Sequence, residues 1–176
     1  MPAEIKVPGF DAMDPKPYLI SIKHIASRLA NKPLFDGRGS FFSYAQHAVL
    51  MKELVEPGLE KQALLYNAIH AYLDGIPQHI QGAAHEMLAS RIQAAIAARF
   101  ALGQAQRARM NACGGIGLEE AHGLAWAAAA MAFATPEYFS RNPICKKFCG
   151  RIRTAPKEAY APDAAEQMFL LFAKTF

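Results

Sequence analysis

Charge is scarce in this sequence: Asp, Glu, Lys and Arg make up 19% of 176 residues, against 52% hydrophobic residues. That balance excludes a largely disordered chain, which needs the reverse. Cysteine is scarcer still. Cys113, Cys145 and Cys149 are an odd number without a disulfide pattern, so a stapled secreted scaffold is excluded and free thiols are expected. As a metal site, the three lack a fourth ligand at the closer, regular spacing that zinc sites show. The opening "MPAEIKVPGF" lacks the basic-then-apolar run of a signal peptide. The apolar run "LAWAAAAMAFA" (124–134) is too short to cross a bilayer. A reducing, cytoplasmic setting away from membranes is therefore expected. No stretch alternates convincingly as a strand, and no internal repeat occurs.

What is present points to helices. The length suits one domain with a substantial core, and alanine, which enters helices at little entropic cost, dominates the middle of the chain. The net charge of +4 is mild, and part of it lies in "CKKFCGRIR" (145–153). That segment reads either as a contact for phosphate or nucleic acid or as a solvated loop. The loop is preferred because no nucleic-acid-binding motif surrounds it.

Residues 1–19 form an extended arm, since 7–19 hold three prolines and one glycine. "ISIKHIASRLAN" (20–31) has helical spacing with Ser21 as its cap, and a second helix runs from about Ser43 to just before Pro57. Between them "KPLFDGRGSFF" (32–42) is a loop. A third helix is expected over about 59–73 and a long one over 83–102. Helix returns from 104 to about 134, disturbed at "CGGIG" (113–117). Residues 135–162, with four prolines, read as irregular. The closing helix, 163–176, takes Asp163 as cap and Met168, Phe169, Leu171 and Phe172 as its apolar face. The expectation is a single all-α domain over 1–176, a bundle of about six helices.

Seven stretches occur in an order that adds up. They are "DP" (14–15), "IKHIASRL" (22–29), "LFDG" (34–37), "FFSYAQHAV" (41–49), "ALLYNAIHAYLDGIP" (63–77), "AC" (112–113) and "AAEQMFLLF" (164–172). Together they resemble the small phage and bacterial nucleotidase branch of the HD-domain phosphohydrolases. The resemblance implies an HD-like helical bundle and, in an active member, one divalent ion held by a His, a His-Asp pair and a distant Asp. That ion would activate a water and orient a phosphate.

Along that resemblance the catalytic residues are replaced. His47 matches the first ligand. Tyr66 stands for the second His, Asn67 for the Asp of the pair, and Cys113 for the last Asp. Leu34 replaces the arginine that would clamp a phosphate, His70 replaces an acidic residue, and Gly75 replaces an aspartate for which neighbouring Asp74 is a displaced substitute. A neutral amide, a phenol that ionises near pH 10 and one thiol do not supply the charge that a divalent site needs. No metal and no cofactor are expected, and catalysis is read as lost.

Yet the replacements stay polar, where a merely structural core would gain from Leu or Val. Tyr66, Asn67, His70 and His47 are candidates to line one cavity; the bland alternative is a water-filled space in which they satisfy one another. Arg38, between Gly37 and Gly39, is a candidate phosphate contact or a solvated loop arginine. Phe41, Phe42 and Tyr44 are candidates to stack on a base, with Phe42 better suited to the core. Glu120 and His122 are candidates to face the same pocket. Trp126 reads as packing, His24 as a surface residue, and His79 and His85 as exposed.

Three functions compete. In the first, a catalytically inactive protein binds a nucleotide or nucleotide-derived signal, a role that would suit a phage or prophage. In the second, a rearranged site of His47, His70, Asp74 and Cys113 still hydrolyses nucleotides with a metal. In the third, the chain is a structural or partner-binding module. Relatives in the family that it resembles often form homo-oligomers, and its apolar helices would suit that.

Overall fold

A computed structural model describes residues 10–73, 82–103 and 116–176. In these the chain forms α1 Ile22–Ala30, α2 Tyr44–Leu54, α3 Glu60–Leu65, α4 Ala83–Arg99, α5 Leu118–Phe133, α6 Pro136–Arg141, α7 Pro143–Phe148 and α8 Pro162–Ala173. No strand forms among the described residues, which agrees with the all-α class. Two isolated bridges, Pro33 with Ser43 and Gly39 with Ala134, are the nearest approach to one. The expected "CGGIG" disturbance falls mostly outside the described residues, as do Asp74, His79 and Cys113.

Local signals account for the first two helices. Ser21 accepts a hydrogen bond from the backbone N–H of His24, and Ser43 accepts one from that of Gln46. The third helix departs from expectation. Instead of one element over 59–73, α3 ends at Leu65 and a 3₁₀ turn follows at Ala68–Ala71, with Tyr66 and Asn67 at the junction. At that junction the Asn67 amide meets the ring of buried His47 on α2.

The segment 135–162 is irregular only over 152–161, and eight described helices replace the expected six. Pro136 and Pro143 begin α6 and α7 instead of breaking structure. Each stands where a proline's missing N–H costs nothing, behind Thr135 or Asn142 as the cap. The basic stretch 145–153 is accordingly not a loop: it holds most of α7 and a 3₁₀ turn, with Cys145 and Phe148 buried. α8 likewise starts on Pro162 with Ala161 as its cap residue, so Asp163 lies in the first turn and does not cap. Its inner face is Ala165 and Phe169, while Leu171, expected inside, is 61% exposed.

α8 packs on α1 and α2, α2 on α3 and α5, and α5 on α6 and α7. One core joins Ile25, Leu29, Ala48, Leu64, Ile92 and Phe169. The alanines of α5, including Ala121, Ala125, Ala127 and Ala129, are buried on several sides, because small side chains let neighbours approach from each. Gly123 is the tightest point. A Cβ there would lie 2.5 Å from Cζ and 2.7 Å from Cδ2 of the buried Phe148 ring. Gly123→Ala is therefore expected to lower stability by about 1–3 kcal/mol, read as a reduced urea midpoint. A neutral result would mean that the α5–α7 contact is slack.

Among the described residues no helix is long and apolar enough to cross a membrane.

Candidate functional site

His47 sits at the centre of a polar group inside the bundle. It projects from α2, is fully buried, and meets Asn67 at 2.9 Å between its Nδ1 and the amide Nδ2. The amide nitrogen donates, so Nδ1 is the bare nitrogen and Nε2 carries the proton. That Nε2–H finds no well-aligned acceptor, although the His122 backbone lies close enough to act on the ring. Burial drives the His47 pKa down to about 3, with the nearby His122 and His70 pushing the same way and the His122 backbone partly opposing them. The ring is thus neutral at ordinary pH.

Three aromatic rings build the surroundings. His47 meets His122 edge-on at 5.1 Å between centroids and Trp126 at 5.9 Å. His122 and Trp126, one turn apart on α5, are 5.7 Å from each other. Tyr66 stacks on His122 at 5.0 Å and 28°, and its hydroxyl donates to Glu119 at 2.9 Å. Burial and the Glu119 carboxylate hold the Tyr66 phenol well above its usual pKa, so it stays protonated. His122 Nδ1, like His47 Nε2, is buried and has no well-aligned partner. The Trp126 indole N–H also lacks a well-aligned acceptor, although it lies close enough to the Tyr138 hydroxyl to act on it.

The structure thus brings together His47, Asn67 and, through His122, Tyr66. Tyr44 and His70 form an adjoining ring pair at 5.0 Å, with the Lys32 ammonium 5.7 Å from the Tyr44 centroid. Glu120 points elsewhere: it pairs with Arg151. Arg38 is also apart, in a groove beside Tyr138, with Tyr138 and Trp126 as the contacts leading from it to His47. Leu34 and Phe42 are core residues, and His24 turns inward to the Ala71 carbonyl instead of lying on the surface. His85 is half-buried rather than exposed.

Glu119 and the Arg141–Asn142 corner were missed by sequence reasoning. Trp126, read as packing, also forms a wall of the ring group. The i, i+4 spacing of His122 and Trp126 and the repeated Glu at 119–120 were the available signals.

As a metal centre the described residues do not suffice. One His47 nitrogen is taken by an amide, Asn67 is neutral, and Tyr66 is a firmly protonated phenol. Among the described residues no three His, Cys, Asp or Glu side chains converge. No protein-family profile and no curated protein sequence matches the chain.

Proposed function

We propose that the chain is a catalytically silent HD-like bundle that binds a nucleotide or nucleotide-derived signalling molecule and releases it unchanged. The observation that carries this reading is the pair of buried ring nitrogens, His47 Nε2 and His122 Nδ1, left without well-aligned partners on touching rings. A buried polar atom without a partner costs about 1–3 kcal/mol, and an apolar side chain at either position would remove that cost. A ligand oxygen or hydroxyl reaching both nitrogens offsets it. The Tyr66–His122 stack offers an aromatic wall for a base beside them. The placement of His47 on α2, facing Asn67 after α3, supports the HD-like reading, since the resemblance assigns the two to one site.

The test is mass spectrometry of small molecules released when the purified protein is heat-denatured, followed by calorimetry against mononucleotides, dinucleotides and cyclic nucleotides without divalent ions. The expected result is an intact nucleotide, bound about three- to tenfold more weakly by Tyr66→Phe, which removes the hydroxyl oxygen as an acceptor for the ligand. A cleaved product would favour the rearranged hydrolase. No binding across the whole panel would favour the structural role.

A further inference from the structure

A groove of about 540 Å³ opens between the 35–39 loop and the α6–α7 corner. Its three neutral polar side chains, Thr135, Tyr138 and Asn142, each already accept a hydrogen bond. Thr135 Oγ1 accepts from the Tyr138 backbone N–H at 3.2 Å. Asn142 Oδ1 accepts from the N–H groups of Ile144 and Cys145, at 2.9 and 3.2 Å. The Asn142 amide in turn donates to the Tyr138 hydroxyl oxygen at 3.0 Å. The phenol, having accepted, must send its own proton in another direction, and Tyr138 lines the groove. Thr135 likewise keeps its hydroxyl proton to give.

Two guanidinium groups complete the lining. Arg38 lies with its guanidinium 5.6 Å from the Tyr138 ring centroid, and among the described residues it pairs with no carboxylate. Its position is fixed by backbone bonds on both sides, Arg38 N–H to the Phe35 carbonyl and Thr135 N–H to the Arg38 carbonyl, each 2.9 Å. Arg141 is held by Glu137 at 2.9 Å, a contact that leaves most of its five donors unspent. Glu137 is the single carboxylate of the groove, so the lining keeps an excess positive charge and an excess of donors.

We propose that this groove is a second binding site, independent of the rings around His47, for the phosphoryl group of a small organic phosphate. Arg38 provides the fork that matches phosphate oxygens in pairs, Tyr138 and Thr135 donate neutral hydrogen bonds, and Arg141 turns from Glu137 to the anion. The volume accommodates a molecule of metabolite size.

Amide-resolved NMR titration of the whole chain tests it, with inorganic phosphate and phenyl phosphate as probes at constant ionic strength and sodium chloride as control. Saturable shifts are expected at 38, 135, 138 and 141–142, tighter for phenyl phosphate. Arg38→Ala should weaken binding by about tenfold or more and Tyr138→Phe by about three- to tenfold, with unchanged far-ultraviolet circular dichroism. Arg38→Lys should recover part of the loss. Shifts no larger than those with chloride would overturn the proposal, as would equal binding by Arg38→Ala. Shifts confined to the surroundings of His47 and His122 would also overturn it, while leaving the nucleotide reading in place.

Discussion

Gly39→Ala is expected to cost about 3–5 kcal/mol of folding stability, a fall of roughly 10 °C in Tm for a chain of this size. Two effects add. The residue has φ 147°, which a side chain tolerates poorly. In addition, an added Cβ would collide with the Phe133 carbonyl oxygen and lie 2.6 Å from the Ala134 Cα. Both obstacles are backbone at the end of α5, so neither can rotate aside. The strand-like bridge between Gly39 and Ala134 and the Ser40 N–H to Phe133 carbonyl bond of 2.8 Å would open together. Gly37 is the natural control. Its φ of 78° also favours glycine, but nothing lies within 4 Å of its missing Cβ, so Gly37→Ala should cost only about 1–2 kcal/mol. Urea denaturation of both variants decides the matter. Equal losses would show that the approach of the loop to α5 is not a fixed feature of the fold. Because the same clamp positions Arg38, the variant should also lose phosphate binding out of proportion to its remaining stability.

The contrast between those two glycines shows what can be read from the chain itself. Gly37 and Gly39 both read as loop residues in "KPLFDGRGSFF", and the difference between them depends on Phe133 and Ala134, far along the sequence. Ser21 was legible as a cap because a cap is a local bond between near neighbours, and Ser43 takes the same role at the expected start of the second helix. Thr135-Pro136 and Asn142-Pro143 carry an equally local starting signal, but a proline count reads them as breakers. The end of α3 at Leu65 was not legible, since "ALLYNAIHAY" has helical periodicity and the residue that Asn67 meets just past that end, His47, is distant in sequence. At the site, the resemblance drew His47, Tyr66 and Asn67 to one place. Arg38, read as a phosphate contact from the glycines on either side of it, lies apart from them beside Tyr138, because a loop arginine's direction is set by its clamp rather than by its neighbours in sequence. His122, Trp126 and Glu119 lie on an alanine-rich helix whose hydrophobic pattern runs almost all round. No period singles out the face that meets His47.

The buried histidine gives the second large effect, and its sign follows from the direction of its shift. In the unfolded chain His47 titrates near 6.5; in the folded protein burial lowers this to about 3. Above pH 6.5 the ring is neutral in both states and contributes no pH dependence. Between 6.5 and 3 the unfolded chain binds a proton that the folded chain refuses, so stability falls with pH. Over those roughly 3.5 units, at 1.36 kcal/mol each, the fall approaches about 4–5 kcal/mol and levels off below pH 3. His122 is also shifted down by burial, against the pull of Glu119, and adds a smaller slope of the same sign. His47→Gln isolates the larger part. Its amide oxygen can still accept from Asn67, so the variant should fold, less stable at pH 7 by about 1–3 kcal/mol. Between pH 7 and pH 4, however, it should lose about 3 kcal/mol less than the wild type, and the two urea-derived curves should converge or cross. Parallel curves would mean that His47 takes up its proton in the folded state, with water reaching Nε2. The unpartnered nitrogens on which the proposed ligand site rests would then already be satisfied.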